Sequence, residues 1–342
     1  MTLTELKAKI KSENPTGAYV FAGEEDYLKR YYTEELAKAV CTDEVFATFN
    51  RVIFDGADVS PLDIKEALQS PPMMADYKLV EWRYPDIEHM SESARRELCR
   101  VADELSEYPY AVFVLFTDME GFDPGTVRRP SRLAASLAKS FSVINFEKST
   151  DAQLIAWLKK HFDAEGIEAD SETLASLIFR SGHAMQVLKR ETEKLAAYAK
   201  ANNMKKIDTS VVRFVAAPTL ECDAFALSGA ITDKSRDGAF LALSDMKQRR
   251  IEPNAVLATL QRSFSELVAV ALLLDEGKGA SDIESLLKWN SYKVKLAIGS
   301  AKRWGAARLI EAKERLRTLD AESKSGGASG YKTIEMFICQ FI

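Results

Sequence analysis

The sequence predicts an α/β domain followed by two all-α domains. The first 147 residues alternate short runs rich in valine, isoleucine and phenylalanine with stretches of helical periodicity, and only helical periodicity follows residue 146. Strands that alternate with helices are typical of a mainly parallel sheet covered on both faces. The length of 342 residues also agrees with two or three domains.

Five apolar runs are candidate strands of this sheet. The run from Ala111 to Phe116 is the strongest candidate, because an uninterrupted apolar run is expected in a central strand that is buried on both faces. Helical patterns between the runs predict helices over residues 24–40, 63–69, 91–105 and 132–140. The candidate strands are, in order, residues 18–22, 48–54, 78–82, 111–116 and 142–146.

The rest of the chain reads as two helical domains. Thr150 and Gln153 form the pattern of a capping box, which predicts a helix that begins after Thr150. Apolar residues at helical spacing then mark a compact three-helix unit that ends near Asn202, and Pro253 fits the first turn of a later helix. We expect the domain ranges to be 1–147, 148–208 and 209–342.

This order of domains suits an AAA+-like ATPase, in which a helical lid follows the α/β core. The first strand should then lead into a phosphate loop of the form Gly-x-x-x-x-Gly-Lys-Ser/Thr. The residues that follow the strand are instead Gly23-Glu24-Glu25-Asp26. Three carboxylates repel a phosphate and suit the first turn of a helix. We therefore expect an AAA+-like core with no functional phosphate loop and no bound cofactor.

Composition excludes several other classes. The 46 Lys and Arg residues against 51 Asp and Glu give a net charge of −5, which leaves only a local basic face for nucleic acid. The four cysteines are too far apart for a zinc or redox motif, and this favours a reducing, cytoplasmic setting. No apolar run approaches a membrane span, and no catalytic or metal-binding motif is present, so we expect no membrane contact, no metal and no catalytic site in this chain.

The segment from Gln69 to Asp76, which reads Gln-Ser-Pro-Pro-Met-Met-Ala-Asp, is the most unusual local feature. Its two prolines restrict the backbone and prevent both helix continuation and strand pairing. Two arrangements of Met73 and Met74 remain open. They could project from the loop as a preorganised apolar wedge for a partner, or they could pack beneath the edge of the sheet.

A basic stretch follows the central strand and contains Arg128, Arg129 and Arg132. These arginines could contact DNA phosphates or an acidic protein. More often such a stretch forms a solvated loop that enters the next helix, and the sequence leaves both interpretations open.

The chain resembles the delta subunit of bacterial DNA polymerase III, a component of the sliding-clamp loader. The resemblance runs over the whole chain. Each motif alone is weak, and the resemblance rests on their occurring together in the family's order. The matching residues are Tyr19 to Leu28, where a Gly-Glu-Glu-Asp-Tyr-Leu turn replaces a phosphate loop; Ala67 to Ser70, Met73-Met74 and Lys78 to Val80; Phe225 to Leu227 with Ala230-Ile231; and Asp320, Lys324 and Ile334-Glu335.

The resemblance implies a subunit of a DNA polymerase complex rather than an enzyme. It implies that the N-terminal domain binds the beta sliding clamp through Gln69, Pro72, Met73 and Met74 and favours an open ring. It further implies that the C-terminal domain joins gamma/tau and delta-prime subunits in a collar, and that primed DNA is gripped by the assembled complex. The family's binding pair is typically Leu-Phe, so Met73-Met74 departs from it by lacking an aromatic side chain.

Three alternatives remain at this point. One is a delta-prime-type sister subunit, for which zinc-binding cysteines would often be expected. The second is a DNA-binding protein of replication or repair, which would bind DNA with a steep salt dependence. The third is an ATPase with a divergent phosphate site, which ATP would stabilise against thermal unfolding.

Overall fold

The computed structural model describes residues 1–12, 14–41, 44–325 and 330–342. The chain separates into two compact units, Met1–Ser149 and Thr150–Ile342. The first is an α/β unit and the second is mainly helical, which confirms the predicted fold class. The further division of residues 148–342 into two helical domains stays a prediction.

The first unit contains a five-stranded parallel sheet in the described residues. Its strand order is β2-β3-β4-β1-β5, so the first strand lies between the fourth and the fifth, as in an AAA+-like core. Every residue of β4 is buried, as expected for a central strand. The strands are β1 (Gly17–Ala22), β2 (Arg51–Asp55), β3 (Lys78–Arg83), β4 (Ala111–Phe116) and β5 (Ser142–Asn145).

Helices cover both faces of this sheet, and each face has its own apolar core. One core joins the side chains of Val20, Trp82 and Phe113 to helices that include α4 and α5. The other joins Tyr19, Phe21 and Val112 to α1 and α2. The helices of this unit are α1 (Leu3–Lys11), α2 (Asp26–Val40), α3 (Glu44–Asn50), α4 (Pro61–Gln69), α5 (Glu92–Asp103), a 3₁₀ turn (Glu104–Glu107) and α6 (Arg132–Leu137).

The strand predicted over residues 48–54 is wrong at its start. Residues up to Asn50 belong to the short helix α3, and the strand begins only at Arg51. The side chain of Asn50 turns inward to bind the backbone of another segment, and this tertiary contact prevails over the strand propensity of Thr48 and Phe49. Helix α1 was not predicted either, although Thr2 and Glu5 form a capping box at its start.

The second unit is built mainly from helices. The capping box at Thr150 begins α7, and Pro253 occupies the first turn of α13, both as predicted. The helices are α7 (Asp151–Ala164), α8 (Ser171–Ser181), α9 (Met185–Ala201), α10 (Thr209–Val215), α11 (Leu220–Thr232), α12 (Arg236–Gln248), α13 (Pro253–Asp275), α14 (Ala280–Leu287), α15 (Ser291–Lys324) and α16 (Tyr331–Phe341).

Helix α13 forms the centre of the second unit. By length and composition it is apolar enough to cross a membrane, but Val256, Leu260, Phe264 and Leu267 are fully buried in the core formed with α11, α15 and α16. A core helix has this composition for the same physical reason, since its apolar side chains must leave water.

Two short strand pairs complete the description. Gly125–Thr126 pairs with Arg129–Pro130 in a small antiparallel hairpin before α6. Glu168–Ala169 pairs with Lys206–Ile207 in parallel within the second unit, where the sequence predicted helices only. Each of these strands is two residues long, which is too short to give a recognisable alternation of apolar residues.

Candidate functional site

The turn after β1 lies where an AAA+ ATPase would hold phosphate, and here it is closed by the chain itself. Gly23 has a φ of +101°, and a Cβ at this position would lie 2.6 Å from the Phe146 carbonyl oxygen and also against the Asn145 side chain. The Glu25 N–H donates to the same Phe146 carbonyl at 3.0 Å. A backbone donor that a phosphate loop would direct at its ligand is thus used within the fold.

A lysine follows this turn, but it serves the interior of the protein. Lys29 is fully buried, and its Nζ donates to the Thr117 carbonyl at 2.6 Å and pairs with Asp26 at 2.8 Å. Burial raises the pKa of the neighbouring Glu25 carboxyl, with a further contribution from the Asp26 charge. The turn presents carboxylates and no unpaired cation, so it lacks the donors that a nucleotide phosphate needs.

The loop of residues 70–77, here called the methionine loop, joins the end of α4 to the start of β3. Met73 is 48% exposed and Met74 is 80% exposed, so of the two arrangements left open by the sequence the structure has the projecting one. Met74 has a φ of +51°, a left-handed conformation that non-glycine residues rarely adopt. Pro72 is half-buried and Pro71 is exposed.

A buried asparagine fixes the backbone of this loop. The Asn50 side-chain amide donates to the Met73 carbonyl at 2.8 Å, and its side-chain oxygen accepts from the Met73 N–H at 2.7 Å. Asn50 is only 1% exposed, so neither bond is in competition with bulk water. This pair satisfies both backbone polar groups of Met73 and leaves its side chain to face solvent.

The base of the loop is held by a second set of hydrogen bonds. The Lys78 ammonium donates to the Ser70 carbonyl at 3.1 Å, and burial lowers the pKa of this lysine. The Tyr110 hydroxyl donates to the Gln69 carbonyl at 3.0 Å, and the Gln69 side-chain amide donates to the Tyr108 hydroxyl at 3.2 Å. The loop is therefore anchored at its base and at Met73, with Met74 beyond both anchors.

The sequence indicated this loop but not its supports. Gln69 forms part of the base through its own backbone and side chain and is also exposed, so its contact with the clamp stays a prediction. Asn50 went unnoticed because it lies 23 residues before Met73 in a segment predicted to be a strand. The only signal was an asparagine in the middle of that predicted strand, where this residue type is disfavoured.

The three predicted contact arginines lie together around the small hairpin before α6. Arg128 is at its tip, Arg129 is in its second strand, and Arg132 opens α6; all three are exposed. None of them forms an ion pair with another residue in the described part of the chain. No group of three or more His, Cys, Asp or Glu side chains among the described residues has the arrangement of a metal site.

Comparison with known proteins identifies the family. A family model described as "DNA polymerase III, delta subunit" matches residues 19–123, and one described as "DNA polymerase III delta subunit, C-terminal domain" matches residues 221–341. The chain belongs to the DNA polymerase III delta subunit family. The first matched range includes the turn after β1, the methionine loop and the whole of α3.

Two individual relatives agree with this family. The DNA polymerase III subunit delta of Bacillus subtilis is 25% identical over 331 residues, which are 95% of this chain and 92% of that protein. The solved structure of the Bacillus subtilis DNA clamp loader delta protein (YqeN) has a TM-score of 0.58 and 21% identity, and the match covers 99% of this chain and 98% of that chain. The second comparison shows that the two chains share a fold.

Membership of the delta family decides between several of the alternatives. The chain is a non-catalytic clamp-loader subunit of a DNA polymerase complex, not an ATPase with a divergent site. Both family models described above name the delta subunit, which favours delta over a delta-prime-type sister subunit. The packing of Gly23 against Phe146 and the buried Lys29 agree with a non-catalytic subunit.

Proposed function

We propose that this chain binds the beta sliding clamp through the methionine loop and favours the open form of the ring, so that the loader can place the clamp on primed DNA. The observation that carries the proposal is the exposure of Met73 and Met74 on a loop whose backbone is fixed by Asn50 and Lys78. Burial of each methionine in a partner pocket would contribute roughly 1.5–3 kcal/mol. A loop that is already ordered loses little conformational entropy on docking.

Surface plasmon resonance with the cognate clamp tests this proposal. We expect the wild type to bind and the Met73→Ala/Met74→Ala variant to lose at least about tenfold in affinity, or about 1.4 kcal/mol. Met119→Ala is the matched control, because Met119 is an exposed methionine of the same unit outside the loop. Equal binding by the double variant and the wild type, with unchanged thermal unfolding, would place the clamp contact elsewhere.

Ring opening requires that the chain bind the open clamp more tightly than the closed one. A clamp variant that cannot close, because its own subunit interface is mutated, should therefore bind this chain more tightly than the intact ring does. The excess affinity reports the free energy that binding must supply to open the intact ring. Equal affinity for the two clamp forms would remove ring opening from the proposal and leave clamp binding.

The helical unit is the proposed site of assembly with the gamma/tau and delta-prime subunits, which in this proposal supply ATP hydrolysis in the cytoplasm. Its C-terminal part has a continuous apolar core from Phe225 to Phe341, so it is a stable platform for further contacts. Gel filtration of the chain mixed with the other subunits should give one complex. Failure of a Met73→Ala/Met74→Ala chain to enter that complex would contradict the separation of clamp binding from assembly.

Arg128, Arg129 and Arg132 are a second candidate contact, for DNA phosphates or an acidic partner surface in the assembled loader. The supporting observation is that these exposed guanidinium groups have no ion-pair partner among the described residues. If they contact DNA, replacing all three by glutamine should lower the salt dependence of DNA binding by the loader, by a slope of about one for each phosphate that is no longer neutralised. An unchanged slope would exclude phosphate contact.

A further inference from the structure

An exposed apolar helix face lies beside the methionine loop and has no role in the proposed function so far. Phe49 is 55% exposed and Val45 is 73% exposed, and both belong to α3. They are four residues apart, so they share one face of this helix. Such exposure is unusual for phenylalanine, and aromatic residues and methionine are enriched where proteins meet partners.

Hydrogen bonds fix α3 close to the methionine loop. Phe49 is followed directly by Asn50, whose side chain holds both backbone polar groups of Met73. Adding one Cα–Cα step, the length of the asparagine side chain and one hydrogen bond places the Phe49 Cα within roughly 10 Å of the Met73 backbone. At this distance, exposed side chains on α3 and on the methionine loop are close enough for one partner to contact both.

The size of a stable interface then decides what a partner must cover. A specific interface covers about 800 Å² on each partner, which is a patch roughly 30 Å across. A clamp that buries Met73 and Met74 at the centre of such a patch extends well beyond a point roughly 10 Å away. A partner that docks centrally on the methionine loop therefore reaches far enough to contact Phe49 as well.

We propose that Phe49, with Val45 beside it, forms a single docking surface with Met73 and Met74 and supplies the aromatic contact of that surface to the sliding clamp. The inference rests on the proposed function, since it takes the clamp as the partner. Asn50 joins the two parts, because the residue that ends α3 also fixes Met73. Aromatic side chains near the centre of interfaces often contribute more than their neighbours to binding energy.

The test measures clamp affinity of the full chain by surface plasmon resonance for five proteins: wild type, Phe49→Ala, Phe49→Leu, Met73→Ala/Met74→Ala and Phe214→Ala. Phe214 is the matched control, because it is an exposed phenylalanine in the helical unit. We expect Phe49→Ala to lose at least about fivefold and Phe214→Ala to remain within about twofold of the wild type. Phe49→Leu, which keeps apolar bulk on the helix, should recover part of the loss.

The outcomes separate this inference from the proposed function. If the methionine variant loses affinity while Phe49→Ala binds like the wild type, the inference is overturned and the proposed function stands. If the wild type itself does not bind the clamp, both are overturned. Thermal unfolding of each variant shows whether it is folded. The inference would also be contradicted if Phe49→Leu recovered none of the binding that Phe49→Ala loses while both variants keep the wild-type melting temperature.

Discussion

At the scale of single residues, buried polar side chains set the shape of the exposed surface. Asn50 and Lys78 use their hydrogen bonds to hold the methionine loop, and Lys29 fills the position beside the closed turn after β1. The sequence showed the two methionines and the carboxylates after β1 directly. It could not show the partners of Asn50 or Lys29, because both bonds join residues that are distant along the chain.

Asn50→Ala should weaken clamp binding although both methionine side chains remain in place. The substitution leaves the N–H and the carbonyl of Met73 without their partner, which costs about 1–3 kcal/mol for a buried group, and it frees the loop to move. Urea unfolding measures the first effect and surface plasmon resonance the second. Asn50→Asp is the control, since it keeps the acceptor for the Met73 N–H and should lose less stability and less clamp affinity. Unaltered clamp affinity in Asn50→Ala would show that the loop needs no support from Asn50.

His183 should stabilise the helical unit in a pH-dependent way. Its Nε2 lies 2.7 Å from the Asp151 carboxylate, and this hydrogen bond raises the pKa of the imidazole, with a smaller contribution from the Glu221 charge, while burial and Lys293 oppose it. Because the folded-state pKa is raised, the stabilisation is present below the unfolded pKa of about 6.5 and is lost as pH rises through the raised value.

The measurement is the difference in free energy of unfolding between wild type and His183→Asn at two pH values. We expect a larger difference at about pH 5.5 than at about pH 9, because only the protonated imidazole gains from the Asp151 charge. Asp151→Asn should abolish the pH dependence of the difference. A difference of equal size at both pH values would show that the contact is not an ion pair.

At the scale of elements, apolar periodicity predicted the strands and helices whose burial follows from their own sequence. It failed where a contact with a distant segment determines the secondary structure. Strand β4 was predicted with its observed limits, because an uninterrupted apolar run needs burial on both faces whatever surrounds it. Helix α3 was read as part of a strand, because Thr48 and Phe49 favour strands and the contact of Asn50 with Met73 lies beyond any local window. The exposed face of α3 that includes Phe49, the proposed docking surface, was missed for the same reason.

Helix α15 contains a break that glycine alone allows. Gly305 has φ 69° and ψ 167° inside the range Ser291–Lys324, a conformation essentially confined to glycine. Gly305→Ala should destabilise the protein by about 1–3 kcal/mol through backbone strain. Gly299→Ala in the same helix is the matched control, because Gly299 has ordinary helical geometry and a Cβ there would meet only Arg303 at a normal distance of 3.5 Å.

Chemical unfolding of the two glycine variants distinguishes strain from a general intolerance of side chains. The control should be neutral or more stable by up to about 1 kcal/mol, as expected for alanine in a helix. If both variants lose the same free energy of unfolding, the break at Gly305 is not the cause.

At the scale of the whole molecule, one chain carries an α/β unit, in which the turn after β1 packs against Phe146, and a helical unit with its own core. The closed turn and the exposed loop lie in the same α/β unit. A five-stranded sheet covered on both faces is a well-packed support, and such a support can present a fixed loop to a partner. We propose that the α/β unit acts by binding, through residues 70–77, and not by catalysis.

Hydrogen exchange followed by mass spectrometry tests that claim most directly, because it reports which backbone segments a bound clamp covers. The full chain is compared with and without a saturating amount of the cognate clamp, and the Met73→Ala/Met74→Ala chain serves as the control. We predict slower exchange in peptides that span residues 44–50 and 70–78, and a smaller change in the double variant at the same clamp concentration. Protection confined to other segments, with these two peptides unchanged at saturation, would contradict the account.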